Sequence, residues 1–267
     1  MKHDIVVDSL DDSIEEYARR GYRLDMIKPA DAPREALVSR DGEMLRLKAE
    51  PPTDARDSTS HADLWIVGRA GMEYRDLIPD RLGGMVIASH IRLTEGGEVP
   101  DYVHYHKVDF QMIYCKRGRI KVVYEDQGPP FWLETGDCVL QPPEIRHRVL
   151  ECTAGAEVIE ISMPAEHETW VEHDITLPTS EFRPERLFND QQFVRHIAEG
   201  AEWILDETLG TQDRDTGIRG ATGGKATVWV TRTSEWGEPS IVEDAKDYFA
   251  LCFRLEEDEY LSVVVRK

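Results

Sequence analysis

The sequence has few cysteines, little positive charge and no long apolar run. Only Cys115, Cys138, Cys152 and Cys252 occur in 267 residues, and no two of them form a CxxC pair. This scarcity excludes both a disulfide scaffold and a cysteine-based zinc knuckle. Each thiol is therefore predicted to be reduced and to lie in a strand as a small apolar residue, with a reactive thiol at Cys115 as the alternative.

The charge balance and the hydropathy exclude two further classes of protein. Lysine and arginine number 32 against 52 acidic residues, and the formal net charge of −20 would repel a nucleic-acid backbone. No stretch approaches the roughly 18 apolar residues of a membrane helix, and the first residues lack the apolar core of a signal peptide. With 40% hydrophobic residues, the composition is that of a globular protein. We expect a cytoplasmic protein with neither nucleic acid nor membrane as a partner.

The N-terminal part of the chain carries one helix signal followed by strand signals. Residues 12–20 predict a short helix that is capped by Asp11 or Ser13 and ended by Gly21. Residues 22–48 alternate short apolar runs with turn signals and predict two or three strands. The stretch 49–63, rich in Pro, Ser, Thr and Asp, is typical of a linker.

From Gly83 onward, the sequence becomes a succession of short apolar runs that recur about every ten residues, a spacing typical of an antiparallel sandwich or barrel. A second helix is predicted at residues 190–200, after which strand signals return.

Two segments of the chain resemble each other. One starts at Gly83 and the other at Gly223, and both run Gly-Gly, a strand, then a Gly-Glu turn followed by proline. Further on, residues 119–124 are echoed by residues 260–265. An ordinary likeness between two β-meanders is the alternative to a true repeat. The predicted division is an N-terminal segment with linker, a metal-binding domain and a C-terminal half, at residues 1–62, 63–178 and 179–267.

A group of three histidines and one glutamine carries the strongest chemical signal. His104 and His106 are two residues apart, so on a strand they project from the same face. Gln111 follows five residues after His106, and His147 comes after a Pro-Pro turn at 142–143. Three imidazoles and one amide oxygen suit a divalent transition metal ion with coordination positions left for water or substrate.

These residues resemble the two motifs of the cupin superfamily, and the resemblance is strong over residues 83–165, weak after residue 220 and absent from the first 80. The matching positions are His104, His106, Gln111, Gly118, Gly136, Pro142 and His147. The chain departs from the family pattern in four ways. It has one extra residue between Gly97 and His104. Gln111 stands where glutamate is commoner, Glu144 where the turn has glycine, and Glu151 where asparagine is expected.

The resemblance implies a mainly β fold, the double-stranded β-helix or jelly-roll barrel, with a few short helices. It implies one divalent transition metal ion as cofactor, with Fe(II) favoured and Zn, Mn or Ni as alternatives. The echo after Gly223 then indicates a bicupin whose second half is degenerate and has no ligands, since the chain has no histidine beyond His196. The strands within residues 22–48 are a candidate to complete that second half.

Strand parity suggests the surroundings of the metal. Tyr102 shares the face of His104 and is the candidate proton donor, with a packed aromatic ring as the alternative. Ile113 and Cys115 share the face of Gln111 and are expected to line the pocket. His90 and Arg92 share a face of the preceding strand, where Arg92 would bind a substrate carboxylate; an exposed strand face is the alternative there.

The functional prediction is a metal-dependent cupin enzyme that acts on a small anionic or enolisable metabolite. Without a ligand carboxylate, a divalent ion keeps its full charge, which favours anionic ligands. An Fe(II) dioxygenase is the leading hypothesis because such enzymes are common among cupins with few ligand carboxylates. A redox-neutral isomerase, lyase or cyclase, and a non-catalytic cupin that binds a small ligand, are the alternatives. The expected partners are the substrate and, in a homodimer, a second copy of the chain.

Overall fold

The computed structural model describes residues 2–49, 65–78, 80–233 and 243–267 of a mainly β protein. Three helices occur in these ranges, at α1 (Leu10–Arg19), α2 (Arg81–Gly84) and α3 (Ile218–Ala221), together with one 3-10 turn at Arg69–Gly71. None of these helices has the length and apolar character that crossing a membrane would require, as far as the described residues go.

The strands are short and follow one another closely along the chain. In the first half they are β1 (Lys2–Val7), β2 (Arg23–Lys28), β3 (Glu35–Arg40), β4 (Glu43–Ala49), β5 (Ile66–Val67), β6 (Glu73–Asp76), β7 (Ile87–Leu93), β8 (Gly97–Glu98), β9 (His104–His106), β10 (Phe110–Arg117), β11 (Arg119–Tyr124), β12 (Phe131–Glu134) and β13 (Cys138–Leu140). In the second half they are β14 (His147–Cys152), β15 (Ala156–Met163), β16 (Thr169–Val171), β17 (Leu187–Phe188), β18 (Gln191–Gln192), β19 (Val194–His196), β20 (Ile204–Asp206), β21 (Thr211–Asp215), β22 (Ala226–Arg232), β23 (Glu243–Asp244), β24 (Tyr248–Arg254) and β25 (Glu259–Arg266).

Three large sheets organise these strands. The mixed sheet has the order β1-β4-β3-β2-β16-β9-β14-β11-β12, with β8 also paired to β14; the central sheet has the order β19-β13-β10-β15-β7-β6-β5; the C-terminal sheet has the order β20-β21-β22-β25-β24-β23. The mixed sheet and the central sheet share one apolar core, which fills the interior of the predicted barrel. The jelly-roll prediction from the sequence is confirmed.

Alternation along the strands of the central sheet gives each of its two faces a different core. Ile113 and Cys115 of β10 belong to the barrel interior, whereas Met112 and Tyr114 of the same strand pack with Val228 and other residues of the C-terminal sheet. This parity determines which side chains can reach the barrel cavity, because neighbours in a strand point to opposite faces.

The N-terminal strands extend the mixed sheet rather than the C-terminal one. Strand β2 pairs with β16 through Thr169–Ile27 and Trp170–Met26, and α1 packs over β2, β3 and β4 around a small separate core. The hypothesis that residues 22–48 complete the C-terminal half is therefore wrong. Helix α1 is capped by Ser9, whose Oγ accepts a hydrogen bond from the Asp12 amide at 3.3 Å, and not by Asp11 or Ser13.

The helix predicted at residues 190–200 is also wrong. This stretch forms β18 and β19, and β19 pairs with the outer edge of β13 through Cys138–His196 and Leu140–Val194. The backbone hydrogen bonds offered by that edge strand determine the conformation, which a local pattern does not reveal. The predicted linker at 49–63 lies outside the described residues, except for Ala49 at the end of β4. The second Gly-Glu turn, within 234–242, also lies outside them.

Candidate metal centre

Three histidines converge inside the barrel. His104 and His106 lie two residues apart on β9, and His147 begins β14 directly opposite His104 in the strand pairing. All three are buried, and each offers a ring nitrogen within 4.8 Å of the other two. The ring centroid of His104 lies 4.3 Å from that of His147 and 5.1 Å from that of His106. Separations of this size allow three imidazoles to ligate one ion.

The backbone fixes the orientation of the imidazoles. Nδ1 of His104 lies 2.8 Å from the carbonyl oxygen of Tyr102, and Nδ1 of His147 lies 2.9 Å from that of Ile145. A carbonyl oxygen only accepts a hydrogen bond, so both Nδ1 atoms carry the proton and both Nε2 atoms keep a lone pair. Nε2 of each is therefore the candidate ligand atom, and this tautomer is usual for metal-bound histidine.

Side chains also hold the imidazole rings in place. Nδ1 of His106 lies 2.9 Å from the Thr169 hydroxyl on β16, the strand that pairs with β9. The buried carboxylate of Asp101 lies 3.6 Å from Nδ1 of His104 and also accepts the backbone amides of Tyr102 and Val149. Polar partners behind the ligating rings hold them in place and tune their basicity. The donor set and its support fit a divalent transition metal ion.

Gln111 lies beside the three histidines in a chain of amides. It is buried, and its Oε1 accepts a hydrogen bond from Nε2 of Gln141 at 3.2 Å. Nε2 of Gln141 also lies 3.1 Å from Nε2 of His147, and Oε1 of Gln141 accepts from the Tyr124 hydroxyl at 2.9 Å. Nε2 of Gln111 has no hydrogen-bond partner among the described residues. Ligation of the metal by Gln111 stays a prediction.

The three histidines line a cavity of about 40 Å³, enough for about three water molecules. Its wall is mostly apolar and includes Ile91, Leu93, Ile113, Val122 and Val158. Besides the histidines, its polar or charged lining consists of Tyr74, Tyr124, Gln141 and Glu160 among the described residues. A ligand of the metal is therefore small and largely surrounded by hydrocarbon.

The predicted substrate-binding residues divide into two groups. Ile113 lines the cavity, as expected. Cys115 lies on the same face of β10 and is buried in the barrel core, but it is not part of the cavity wall. Burial raises the pKa of its thiol to about 12, which makes it a packing residue and not a nucleophile.

His90 and Arg92 do not face the cavity, and their prediction as substrate-binding residues is corrected by the strand parity. Their neighbours Ile91 and Leu93 point into the cavity, so His90 and Arg92 point away from it. Nε2 of His90 lies 2.8 Å from a carboxylate oxygen of Glu157. Arg92 forms an ion pair with Glu73 and lies over the ring of Trp65.

Tyr102, the predicted proton donor, lies at the edge of the site. Its ring centroid is 5.9 Å from that of His104, but Tyr102 is not part of the cavity wall. Its carbonyl oxygen, and not its phenol, makes the contact with Nδ1 of His104. A catalytic role of this side chain stays a prediction.

Glu160 and Gln141 are among the cavity residues that were not predicted. Glu160 lies on β15 between Val158, which faces the barrel, and Ser162, whose hydroxyl donates to the Glu160 carboxylate at 3.3 Å. The alternation in AEVIEIS carries this signal, because a charged residue stands at an inward position of a strand. Gln141 directly precedes the Pro-Pro turn, and nothing in its local pattern distinguishes it.

A fourth histidine lies close by. The ring centroid of His167 is 5.3 Å from that of His106, and its buried Nε2 has no hydrogen-bond partner among the described residues. Burial lowers the pKa of His167. Nδ1 of His167 lies 3.0 Å from the carbonyl oxygen of Pro164, which opposes this effect, but burial is the larger cause and favours the uncharged imidazole.

Comparison with known proteins agrees with this fold. Residues 89–162, which include β9, β10 and β14, match the sequence model of the Cupin_2 family, described as Cupin domain. This segment, which contains the three histidines, is therefore similar to cupin domains. No curated protein sequence matches it significantly.

Among solved structures, the chain is similar to the protein Ylba from E. coli, with 11% identity, a TM-score of 0.45 and coverage of 87% of this chain and 82% of that one. It is similar to an RmlC-like cupin from Shewanella frigidimarina, with 27% identity, a TM-score of 0.30 and coverage of 36% and 78%. It is also similar to a variant of oxalate decarboxylase from B. subtilis, with 11% identity, a TM-score of 0.45 and coverage of 73% and 66%.

Proposed function

We propose that this cupin is a metal-dependent enzyme that acts on a small enolisable metabolite, with an Fe(II) dioxygenase as the leading reaction class. The observation that carries the proposal is the convergence of His104, His106 and His147 on one cavity with a mostly apolar wall. Three neutral protein ligands leave positions for substrate at a divalent ion. A bound divalent ion would polarise a substrate oxygen, and Fe(II) would in addition activate dioxygen.

The residues of the chain supply the other requirements of such a reaction. The apolar wall excludes bulk water and strengthens every charge interaction inside it. Glu160 lines the same cavity as the three histidines, and its carboxylate is the candidate to accept a proton from the carbon next to a substrate carbonyl group. A carboxylate that is not a metal ligand thus takes the place of the base that Gln111 cannot provide.

The presence of Glu160 also favours the second candidate, a redox-neutral isomerase, lyase or cyclase, since proton transfer alone would serve such a reaction. Oxygen consumption separates the two. The full chain is loaded with Fe(II) or Zn(II) and tested with a panel of small 1,3-dicarbonyl and 2-hydroxycarbonyl compounds. We expect oxygen uptake coupled to substrate loss with Fe(II), and no turnover with Zn(II) in the absence of oxygen.

Anaerobic turnover by the zinc form would replace the dioxygenase with the redox-neutral reaction. Absence of turnover by both forms, while metal binds at one ion per chain, would reject the enzyme. The His104→Ala variant controls for free metal in solution, and Glu160→Gln tests the base: it should lower turnover about a hundredfold while metal binding is retained.

A further inference from the structure

A second cavity adjoins the metal cavity from outside. This open groove of about 370 Å³ is lined by the loop that follows β7 and by the turn that precedes β6. Met72 and Leu93 line both the groove and the inner cavity. They therefore form the partition between the metal site and solvent on this side of the barrel.

Of the two residues that form the partition, Met72 can change its side-chain conformation more easily. Met72 follows directly on the 3-10 turn Arg69–Gly71, and its carbonyl oxygen accepts a hydrogen bond from the Gly68 amide at 2.9 Å. A methionine side chain has three rotatable bonds and no branch, so it changes shape at low cost. Leu93, in contrast, ends the regular strand β7 and is paired with Ala156 of β15.

The charges along this route are all negative. Glu95 and Glu98 are exposed in the groove, and Glu160 lines the inner cavity. Neither lining contains a lysine or an arginine among the residues that the structure describes. Arg92, next to Leu93 in sequence, faces the other side of the sheet and is paired with Glu73.

We propose that the substrate enters between Met72 and Leu93 as an electrically neutral molecule, and that Met72 limits its size. The proposal rests on the function proposed above, since it concerns the ligand of the same site. An anion would pass three carboxylates with no cation beside them, and a cation would meet a divalent metal ion at the end of the route. A neutral enolisable compound meets neither barrier and becomes negative only after it has given up a proton inside.

Two chelators of similar size test this proposal. Acetohydroxamic acid is neutral and oxalate is a dianion, and each binds a metal through two oxygen atoms. The full chain is loaded with Co(II), whose visible absorption changes when a ligand enters, and association is followed by stopped flow at low salt. Using ratios between variants removes the intrinsic difference in metal affinity between the two probes.

The charge arm uses the double variant Glu95→Gln/Glu98→Gln, in which both changed side chains are exposed. We expect oxalate association to rise about tenfold and acetohydroxamic acid association to stay within a factor of about two. The matched control is Glu256→Gln/Glu257→Gln, which changes the net charge equally at an exposed turn of the C-terminal sheet. It should leave both rates unchanged.

The size arm uses Met72→Ala, with Met44→Ala on β4 as the control. We expect Met72→Ala to speed the association of both probes and to admit a bulkier neutral chelator, benzohydroxamic acid, that the wild type excludes. Equal association rates in Met72→Ala and wild type would contradict entry of the substrate between Met72 and Leu93. An oxalate association rate that does not change in Glu95→Gln/Glu98→Gln would contradict the proposal that the substrate is neutral.

These failures differ from failure of the proposed function. If the probes contradict the route while Fe(II)-dependent oxygen uptake persists, the inference is lost and the function stands. If Co(II) does not bind at the three histidines, both are lost.

Discussion

The central sheet and the C-terminal sheet are built in the same strand order, yet among the described residues only the central sheet borders the candidate metal site. In the central sheet β5, β6, β7, β15 and β10 are neighbours, and in the C-terminal sheet β20, β21, β22, β25 and β24 occupy the same positions. The strands that carry the three histidines, β9 and β14, belong to the mixed sheet. The candidate chemistry therefore depends on a second sheet facing the first, and not on the repeated unit.

The same comparison corrects one detail of the internal repeat. The likeness of residues 119–124 to residues 260–265 matches β11 with β25. In the structure, however, β25 lies between β22 and β24, as β15 lies between β7 and β10. The likeness of the segments that start at Gly83 and Gly223 matches β7 with β22, and this correspondence agrees with the strand order. A degenerate cupin half made of one sheet remains our proposal for this region.

The largest effect on metal binding is expected from the histidines of the barrel, which have no counterpart among the described residues of the C-terminal sheet. We expect His104→Ala to lower the bound metal from about one ion per chain to less than about a tenth of that and to abolish turnover. Elemental analysis of the purified variant measures this. His196→Gln, a histidine of β19 outside the cluster, should keep its metal; loss of metal there as well would contradict the assignment.

The two regions should contribute alike to stability, since they share one core. Phe110 and Phe249 are fully buried in it from opposite sides. We expect Phe110→Ala and Phe249→Ala each to lower the free energy of unfolding by about 3–5 kcal/mol, measured by urea denaturation. Folded Phe249→Ala protein should bind metal as the wild type does. A change below about 1 kcal/mol in Phe249→Ala would indicate that the C-terminal sheet is not part of the core.

Removing a hydroxyl group should weaken metal binding only where that hydroxyl contacts one of the three histidines. Thr169→Val removes the hydroxyl beside Nδ1 of His106 and should weaken metal binding about tenfold to a hundredfold, measured by competition with a chelating dye. Thr231→Val removes a hydroxyl that donates to Asp213 at 2.6 Å in the C-terminal sheet. Its metal affinity should equal that of the wild type, and an equal loss in both variants would point to a general effect on folding.

A smaller effect on metal affinity is expected at Gln111, which stands where the family pattern has glutamate. Gln111→Glu keeps the oxygen that accepts from Gln141 and adds a negative charge near the ion, which should tighten metal binding about tenfold. Calorimetric titration of the metal-free protein measures the change. Gln212→Glu places the same substitution at an exposed position of β21 and should change nothing. An unchanged affinity in Gln111→Glu would mean that this side chain lies out of reach of the ion.

The smallest difference between the two regions is expected in the reactivity of their thiols, which are buried in both. Burial raises the pKa of Cys115 to about 12 and also raises that of Cys252. Raised pKa values lower the thiolate fraction near pH 8, so less than about a twentieth of either residue should react with iodoacetamide before unfolding. Mass spectrometry of the native protein checks this. Fast labelling of Cys115 alone would indicate a reactive thiol in the barrel.

Much of the fold and of the metal centre could be predicted from residue type and spacing. His104 and His106 share a strand face because the period of a strand is two, and the Pro-Pro turn before His147 matches the family pattern. The error at His90 and Arg92 has a different origin: the parity of a single strand says which residues share a face, but not which face turns inward. That choice depends on the sheets packed on either side.

Glu160, in contrast, is a site residue that the sequence of its strand could have predicted. Its inward position follows from the alternation in AEVIEIS once Val158 is known to face the barrel, so the sequence of that strand contains the signal. Gln141 and His167, in contrast, reach the site through tertiary contacts with His147 and His106. The strand at 194–196 likewise depends on a partner edge, β13, that lies more than fifty residues earlier in the chain.

The most direct test of the metal centre is anomalous diffraction from crystals of the metal-loaded full chain, recorded at the absorption edge of the ion. The account predicts one anomalous peak, about 2.0–2.2 Å from Nε2 of His104, His106 and His147, and none within the C-terminal sheet. A peak elsewhere, or none at these nitrogens in a fully loaded crystal, would contradict the assignment of this barrel as the metal site.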